Sequence, residues 1–308
     1  MLFSHDQRPL GQNGLGRNPV LQGQSDAYQI DNKLIIFSLI HDTELPIVLL
    51  QQIAVHHFME KGVIFIVTGS KKYKEECKFS AKSIKHHNPN LPVKVFTDGG
   101  IQTNRFIDEV EKIDDRVHPL KLKTLHLLDS PFEKTLFLDS DTKVEGDLGA
   151  LFEQLDEKDF VIGKGPLLEW STGKARFLDF VHPLHFNTGV FLYTNSKASQ
   201  EYLHAWNELT QQQKDEDMYP GHLCDQHYFN VLLEKGYDKR LGMRLGIFDN
   251  LVYNVRYLAY QNLSPAQKKK VLIKHWHHLN EPLYFKVLKR MKNRFYKIAK
   301  NKKRVLAS

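Results

Sequence analysis

The sequence predicts an α/β layer fold, with a mostly parallel central sheet flanked by helices. Two observations carry this. Short apolar runs alternate with helically spaced segments from Gly62 onward. The run Thr135 to Leu138 is also continuous rather than alternating, as in a strand buried on both faces. Sheets of this class bind ligands beyond the carboxyl ends of their strands, which directs attention to the residues following each strand.

The elements follow in chain order. Gly62 to Val67 reads as the first strand. Tyr73, Cys77, Ala81 and Ile84 then recur at helical spacing, and Asn88-Pro89 ends that helix. Pro92 to Thr97 is the next strand, closed by the turn Asp98-Gly99-Gly100. Leu122 to Leu128 reads as a short helix, followed by the strand Thr135 to Leu138. Asp147 is the expected N-cap of a helix with Leu148, Leu151, Phe152 and Leu155 on one face. Strands are expected at Phe160 to Ile162 and Gly189 to Tyr193, and helices near Glu201 to Leu209 and Gln226 to Lys235.

Residues 1–58 form an N-terminal extension whose polar, aperiodic first part is expected to be disordered. Met59, just before the first strand, is itself a candidate start residue. Residues 59–282 make the catalytic-sized domain, and 283–308 a basic amphipathic tail. In that tail Val287, Leu288, Met291, Phe295 and Ile298 share a helical face. The pattern fits either an anionic membrane surface or docking on the body.

The formal charge of +7 is local. The tail holds ten Lys or Arg and no acid, leaving 33 basic against 36 acidic residues elsewhere. A slightly acidic body argues against a nucleic-acid-coating protein. Two distant cysteines, Cys77 and Cys224, exclude a disulfide framework and fit a reducing, cytoplasmic setting. The best apolar stretch, Leu34 to Phe58, is interrupted by His41, Asp42, Glu44 and Pro46, so no membrane span is expected.

Asp139 and Asp141 directly follow the apolar strand. In an extended chain, residues two apart point to the same side, so both carboxylates can face one point. Hard cations such as Mg²⁺ or Mn²⁺ take carboxylates together with phosphate oxygens. Two aspartates capping a turn is the plain alternative.

The segment Lys134-Thr135-Leu136-Phe137-Leu138-Asp139-Ser140-Asp141-Thr142 resembles the Asp-x-Asp segment of GT-A type, nucleotide-sugar-dependent glycosyltransferases. The likeness is to the glycogenin-like and bacterial galactosyltransferase-like group, and covers roughly Gly62 to His278 by motif order. It implies the GT-A fold, a nucleotide diphosphate sugar donor (UDP-linked), and a glycan or lipid-linked acceptor. It also implies Mn²⁺ or Mg²⁺ held by Asp139, Asp141 and His275, with His277 as the alternate ligand.

By the same resemblance, Thr68, Gly69, Ser70 and Tyr73 meet the nucleoside, although Ser70 fits a helix N-cap equally well. Lys123, with Lys121 as competitor, would place a point charge on the diphosphate. Phe186-Asn187-Thr188-Gly189-Val190 matches the segment lining the sugar pocket, through Asn187 and Gly189. Cys224-Asp225-Gln226-His227 matches the pair that reaches the donor sugar and gives Asp225 and Gln226 catalytic roles. Asp225 would also serve as a helix N-cap. The family's Gly-x-x-Lys-Pro-Trp continuation after the late histidine is replaced here by Leu279-Asn280-Glu281-Pro282.

His182 and His185 lack further ligands at metal spacing and read as loop histidines. Two other functions stay open on the sequence: a sugar-phosphate nucleotidyltransferase using Thr68-Gly69-Ser70-Lys71-Lys72, and a non-enzymatic membrane- or nucleic-acid-binding protein acting through the tail.

Overall fold

The structure, a computed structural model, describes residues 59–114, 116–165, 185–218 and 225–280. The chain divides into two units, Met1–His57 and Phe58–Ser308, and all described residues belong to the second. The expectations for the N-terminal extension, the basic tail, His182 and Cys224 lie outside the described residues.

The strands are β1 (Met59–Val67), β2 (Val93–Thr97), β3 (Glu109–Lys112), β4 (Phe132–Leu138), β5 (Thr142–Val144), β6 (Phe160–Lys164), β7 (Phe186–Thr194), β8 (Leu245–Phe248) and β9 (Ile273–His275). Seven make one sheet in the order β3-β2-β1-β4-β7-β6-β8. The run β3-β2-β1-β4 is parallel, as is β6 with β8. Only β7 runs against its neighbours, β4 and β6. The expected mostly parallel α/β sheet is therefore what the chain forms. β5 and β9 pair separately, antiparallel, with Thr142 opposite His275.

The helices are α1 (Lys71–His87), α2 (Pro119–His126), α3 (Gly149–Glu153), α4 (Lys197–Gln212), α5 (Asp225–Glu234), α6 (Tyr237–Arg240), α7 (Asn250–Tyr253), α8 (Tyr257–Asn262) and α9 (Pro265–Lys268). Among the described residues no helix is long and apolar enough to cross a membrane.

Side-chain alternation splits the core between the two sheet faces. Val63, Phe65 and Val67 of β1 join Leu136 and Leu138 of β4 beneath Cys77, Ala81 and Ile84 of α1. Ile64 and Phe137 point the other way, against Leu122, Trp206 and Phe229 on α2, α4 and α5.

Four expectations need correction. Tyr73, counted among the apolar helical positions of α1, is 40% exposed, in the first turn of that helix. Asp147 is not a cap. Leu148 holds that position, and its N–H donates to the Asn88 side chain at 2.9 Å. The strand expected from Gly189 begins at Phe186, so Asn187 and Thr188 lie inside β7 rather than ahead of it. Asn230 extends that strand by accepting from Phe186 N at 2.7 Å and donating to its carbonyl at 3.0 Å. Finally, β3 was missed because its sequence, Glu-Val-Glu-Lys, has no apolar run. Its acids instead hold the buried Lys94 at 2.8 and 2.9 Å.

Asp159, at the foot of β6, ties β8 to the sheet. Its carboxylate accepts from the backbone N–H of Arg244 and from Nε and Nη2 of that side chain, at 2.8 to 3.0 Å. Asp159→Ala is expected to cost about 2 kcal/mol in denaturant unfolding at neutral pH, since hydrogen bonds to charged groups are worth roughly 1.5–3 kcal/mol. The Arg244 bonds outweigh burial and hold the Asp159 pKa below its ordinary value. Its contribution is complete above the unfolded pKa of about 3.9 and is lost as pH falls through the lower native value. The stability gap should therefore narrow below about pH 4, and a gap constant to about pH 2 would contradict this account.

Candidate functional site

The parallel strands β1, β2 and β4 end on the same side of the sheet, which brings Thr68–Ser70, Asp98 and Asp139 to one edge. The reversed direction of β7 brings its opposite end, Asn187 to Gly189, to that edge too. Asp139 N donates to Gly189 O at 2.8 Å and locks the two strand ends together. The β5–β9 pair delivers His275, and Trp276 N donates to Asp141 O at 2.9 Å.

The aspartates converge by a route other than the expected one. Residues 139–141 form a turn after β4 rather than an extended segment, and Thr142 Oγ1 donates to Asp139 O across it at 2.9 Å. His275 Nε2 lies 3.2 Å from Asp141 Oδ1 and 3.5 Å from Asp139 Oδ2. One ligand atom from each of the three residues falls within 4.8 Å of the others. Among the described residues this is the group able to hold a metal ion.

Two carboxylates and an imidazole suit Mg²⁺ or Mn²⁺ chemically. Gly189 supplies the room. A Cβ there would sit 2.6 Å from Asp139 Oδ2 and 2.9 Å from His275 Nδ1, and would collide with His275 Cε1. Burial opposes ionisation of Asp141, but the charge and hydrogen bond of His275, with the charges of His277 and Arg256, hold its pKa well below the carboxylate range.

His277 takes a different position. Its Nδ1 is 3.3 Å from Asp141 Oδ2 but also 3.2 Å from Glu76 Oε2, a buried carboxylate that accepts from His278 N at 2.9 Å. The Glu76 hydrogen bond raises the His277 pKa. His275 thus belongs to the converging group, while His277 is held at its rim.

Lys123 lies in the middle of α2, not at its opening, and is buried. Its Nζ donates to Thr188 O at 2.7 Å and contacts Asp225 Oδ2 at 2.8 Å and Asp139 Oδ1 at 3.4 Å. Burial works against its charge, but Asp139 and Asp225 prevail and raise its pKa. An ammonium has three N–H donors, and these contacts account for all of them. Lys121 instead pairs with Asp215 at 2.7 Å, toward solvent.

Asp225 begins α5, and its carboxylate accepts from Thr188 Oγ1 at 2.9 Å besides pairing with Lys123. Gln226 Oε1 accepts from Asn187 Nδ2 at 3.0 Å and from Thr188 N at 3.3 Å, while its Nε2 contacts His185 Nε2 at 2.9 Å. Asn187 Oδ1 accepts from Gly189 N at 3.2 Å and from Asn254 Nδ2 at 2.9 Å. Asn254 Oδ1 in turn meets His275 Nδ1 at 2.8 Å.

The first loop stands at the same edge. Gly69 has φ +77°, a conformation that favours glycine, and its N–H donates to Asp98 Oδ2 at 2.8 Å. Lys74 pairs with Asp98 at 2.8 Å. Against the opposing effect of burial, these contacts lower the Asp98 pKa. Ser70 occupies the N-cap position of α1 without a side-chain cap bond, so its hydroxyl is not engaged there. The Tyr73 ring lies 5.9 Å from that of His277 and brings this loop close to the group formed by Asp139, Asp141 and His275.

Sequence reasoning missed Glu76, Asp98 and Asn254. Asp98 stood in a recognised turn, but Glu76 and Asn254 carry no motif, and only the fold brings them in.

The sequence profile of the family described as nucleotide-diphospho-sugar transferase matches residues 134–302, more than half of the chain. No curated protein matches it in sequence. Among solved structures, the glycosyltransferase GlyE of Streptococcus pneumoniae TIGR4 is 21% identical with a TM-score of 0.49, over 73% of this chain and 56% of that one. The galactosyltransferase LgtC, in complex with donor and acceptor sugar analogs, is 15% identical with a TM-score of 0.48, over 70% and 86%. The bifunctional glycosyltransferase WbbM is 15% identical with a TM-score of 0.47, over 71% and 46%. The chain thus spans about half the length of GlyE and of WbbM.

Gly189→Ala is expected to displace His275 and Asp139 and to weaken Mn²⁺ binding by about tenfold or more, as disturbed ligand positioning does elsewhere. Titration of free Mn²⁺ by electron paramagnetic resonance measures this directly. Unchanged affinity in a folded variant would show that Gly189 is not the space-giving residue.

Proposed function

The chain belongs to the nucleotide-diphospho-sugar transferase family, and from that premise we propose that it transfers a sugar from a UDP-linked donor to a glycan or lipid-linked acceptor. Asp139, Asp141 and His275 would hold Mn²⁺ or Mg²⁺. The observation carrying this reading is the convergence of those three side chains beside Gly189, at the sheet edge where the strands end.

When bound, the cation neutralises charge that develops on the departing diphosphate. The chain's own groups do the rest. Thr68, Gly69, Ser70 and Tyr73 border the nucleoside, with Gly69 held by Asp98. Asn187, Asp225 and Gln226 orient the donor sugar, and their fixed hydrogen bonds preorganise the site before substrate arrives. Lys123 acts chiefly by holding Asp225 and Asp139 in place, because its three donors are already engaged within the protein.

A screen of UDP-sugars for Mn²⁺-dependent thermal stabilisation identifies the donor, since ligand binding to the folded state raises its stability. Asp139→Ala and Asp141→Ala are expected to lower both transfer and donor hydrolysis by about 100-fold or more, matching the several kcal/mol of charge stabilisation a metal supplies. Full activity in either variant, or in excess chelator, defeats the metal-dependent reading.

The basic charge of the tail 283–308 supports a peripheral contact with anionic membrane from the cytoplasmic side, and the slightly acidic body argues against nucleic acid as a partner. Vesicles containing phosphatidylserine are expected to retain the full chain at low salt and to release it as salt rises. Retention undiminished by deletion of 283–308 would refute this contact.

A further inference from the structure

We propose that Asn254 is a positioning residue that fixes the tautomer of His275 and thereby joins the cation-binding end of the site to its sugar-binding end. This rests on the metal-dependent reading above.

Backbone groups, whose hydrogen-bonding sense is unambiguous, fix the direction of the chain of contacts. Gly189 N–H is a donor, so the Asn187 atom it meets at 3.2 Å is the carbonyl oxygen. Thr188 N–H likewise fixes Gln226 Oε1 as an acceptor, and Asn187 Nδ2 donates to the same oxygen. The Asn187 amide therefore has one orientation, with Oδ1 facing Asn254. Only the amino group of Asn254 can serve that oxygen, and it does so at 2.9 Å. Asn254 Oδ1 is then left facing His275 Nδ1 at 2.8 Å. A carbonyl oxygen accepts only, so Nδ1 must carry the proton.

The consequence appears on the other ring nitrogen. With the proton on Nδ1, Nε2 is the ring nitrogen left to bind a cation shared with Asp139 and Asp141, the tautomer a metal ligand needs. Reversing the Asn254 amide would set two acceptors against each other at Asn187 and would present a donor to His275 Nδ1, selecting the opposite tautomer. The backbone of β7 thus selects the tautomer of a histidine on β9 through two side-chain amides.

Asn254 is well held for this role. It is 0% exposed and directly follows α7, with its N–H bonded to Asn250 O. The next residue is stitched to β9, Val255 N donating to Ile273 O at 3.0 Å and His275 N to Val255 O at 2.9 Å. The Asn254 side chain therefore cannot drift from the ring it orients.

The test is Mn²⁺ affinity of the full chain, read by electron paramagnetic resonance, with circular dichroism and thermal melting as checks on folding. Asn254→Ala should weaken Mn²⁺ binding by about 10–100-fold, the usual effect of losing a partner that orients a ligating histidine. Asn254→Asp keeps an acceptor for Nδ1–H but loses the donor to Asn187 Oδ1, and should bind Mn²⁺ more tightly than Asn254→Ala and more weakly than wild type. Asn187→Ala leaves all three metal ligands in place and should weaken binding by about threefold or more by releasing the Asn254 amide.

Wild-type affinity in Asn254→Ala overturns the proposal, as does Asn254→Asp binding no better than Asn254→Ala. Unchanged affinity in Asn187→Ala removes the link to the sugar-binding end. Absence of Mn²⁺ binding by the wild-type chain instead defeats the metal-dependent reading, and this proposal with it.

Discussion

The ammonium group of Lys123 is buried, and a buried charge without partners costs several kcal/mol. That constraint organises the site. Lys123 draws in Asp139 from the end of β4, Asp225 from the start of α5 and the carbonyl of Thr188 in β7. Three elements distant in sequence are thus pinned at one point. The pairing is costly to desolvate, so its value lies in specifying an arrangement rather than in adding net stability. Asp139 is positioned by this contact on one side and is left open toward His275 on the other.

The arrangement also depends on the reversal of one strand. If β7 ran parallel to β4, Asn187 and Gly189 would lie at the opposite end of the sheet. Its antiparallel pairing puts Gly189 beside Asp139, where the absence of a side chain leaves space between the carboxylates and the imidazole. The same strand carries Asn187, whose amide orientation is dictated by the backbone N–H of Gly189. Space for a cation and the sense of the hydrogen-bond chain therefore arise from neighbouring residues of one strand.

Much of the fold could be read from local pattern. The runs at Val63 to Val67 and Leu136 to Leu138 are buried on both faces of a parallel sheet and show as continuous apolar stretches. Cys77, Ala81 and Ile84 showed their burial by helical spacing. Where the sequence misled, a competing contact was the cause. Asn88 caps the backbone at Leu148 in place of Asp147, and β3 is stabilised by ion pairs that leave no hydropathy signal.

Local pattern was enough to read the α/β class, the place of Asp139 and Asp141 just past a buried strand, and the order of Asn187, Asp225-Gln226 and His275 along the chain. These are local properties: strand burial writes itself as an apolar run, and motif order needs no distances. It took the folded chain to show that the two aspartates meet through a turn, that His275 rather than His277 completes the converging group, and that Lys123 faces two carboxylates. It also brought in Glu76 and Asn254, each linked to its histidine partner by contacts remote in sequence. Such partnerships depend on strand pairing and burial, and a lone polar residue in a sequence carries no record of what the folded chain will place beside it.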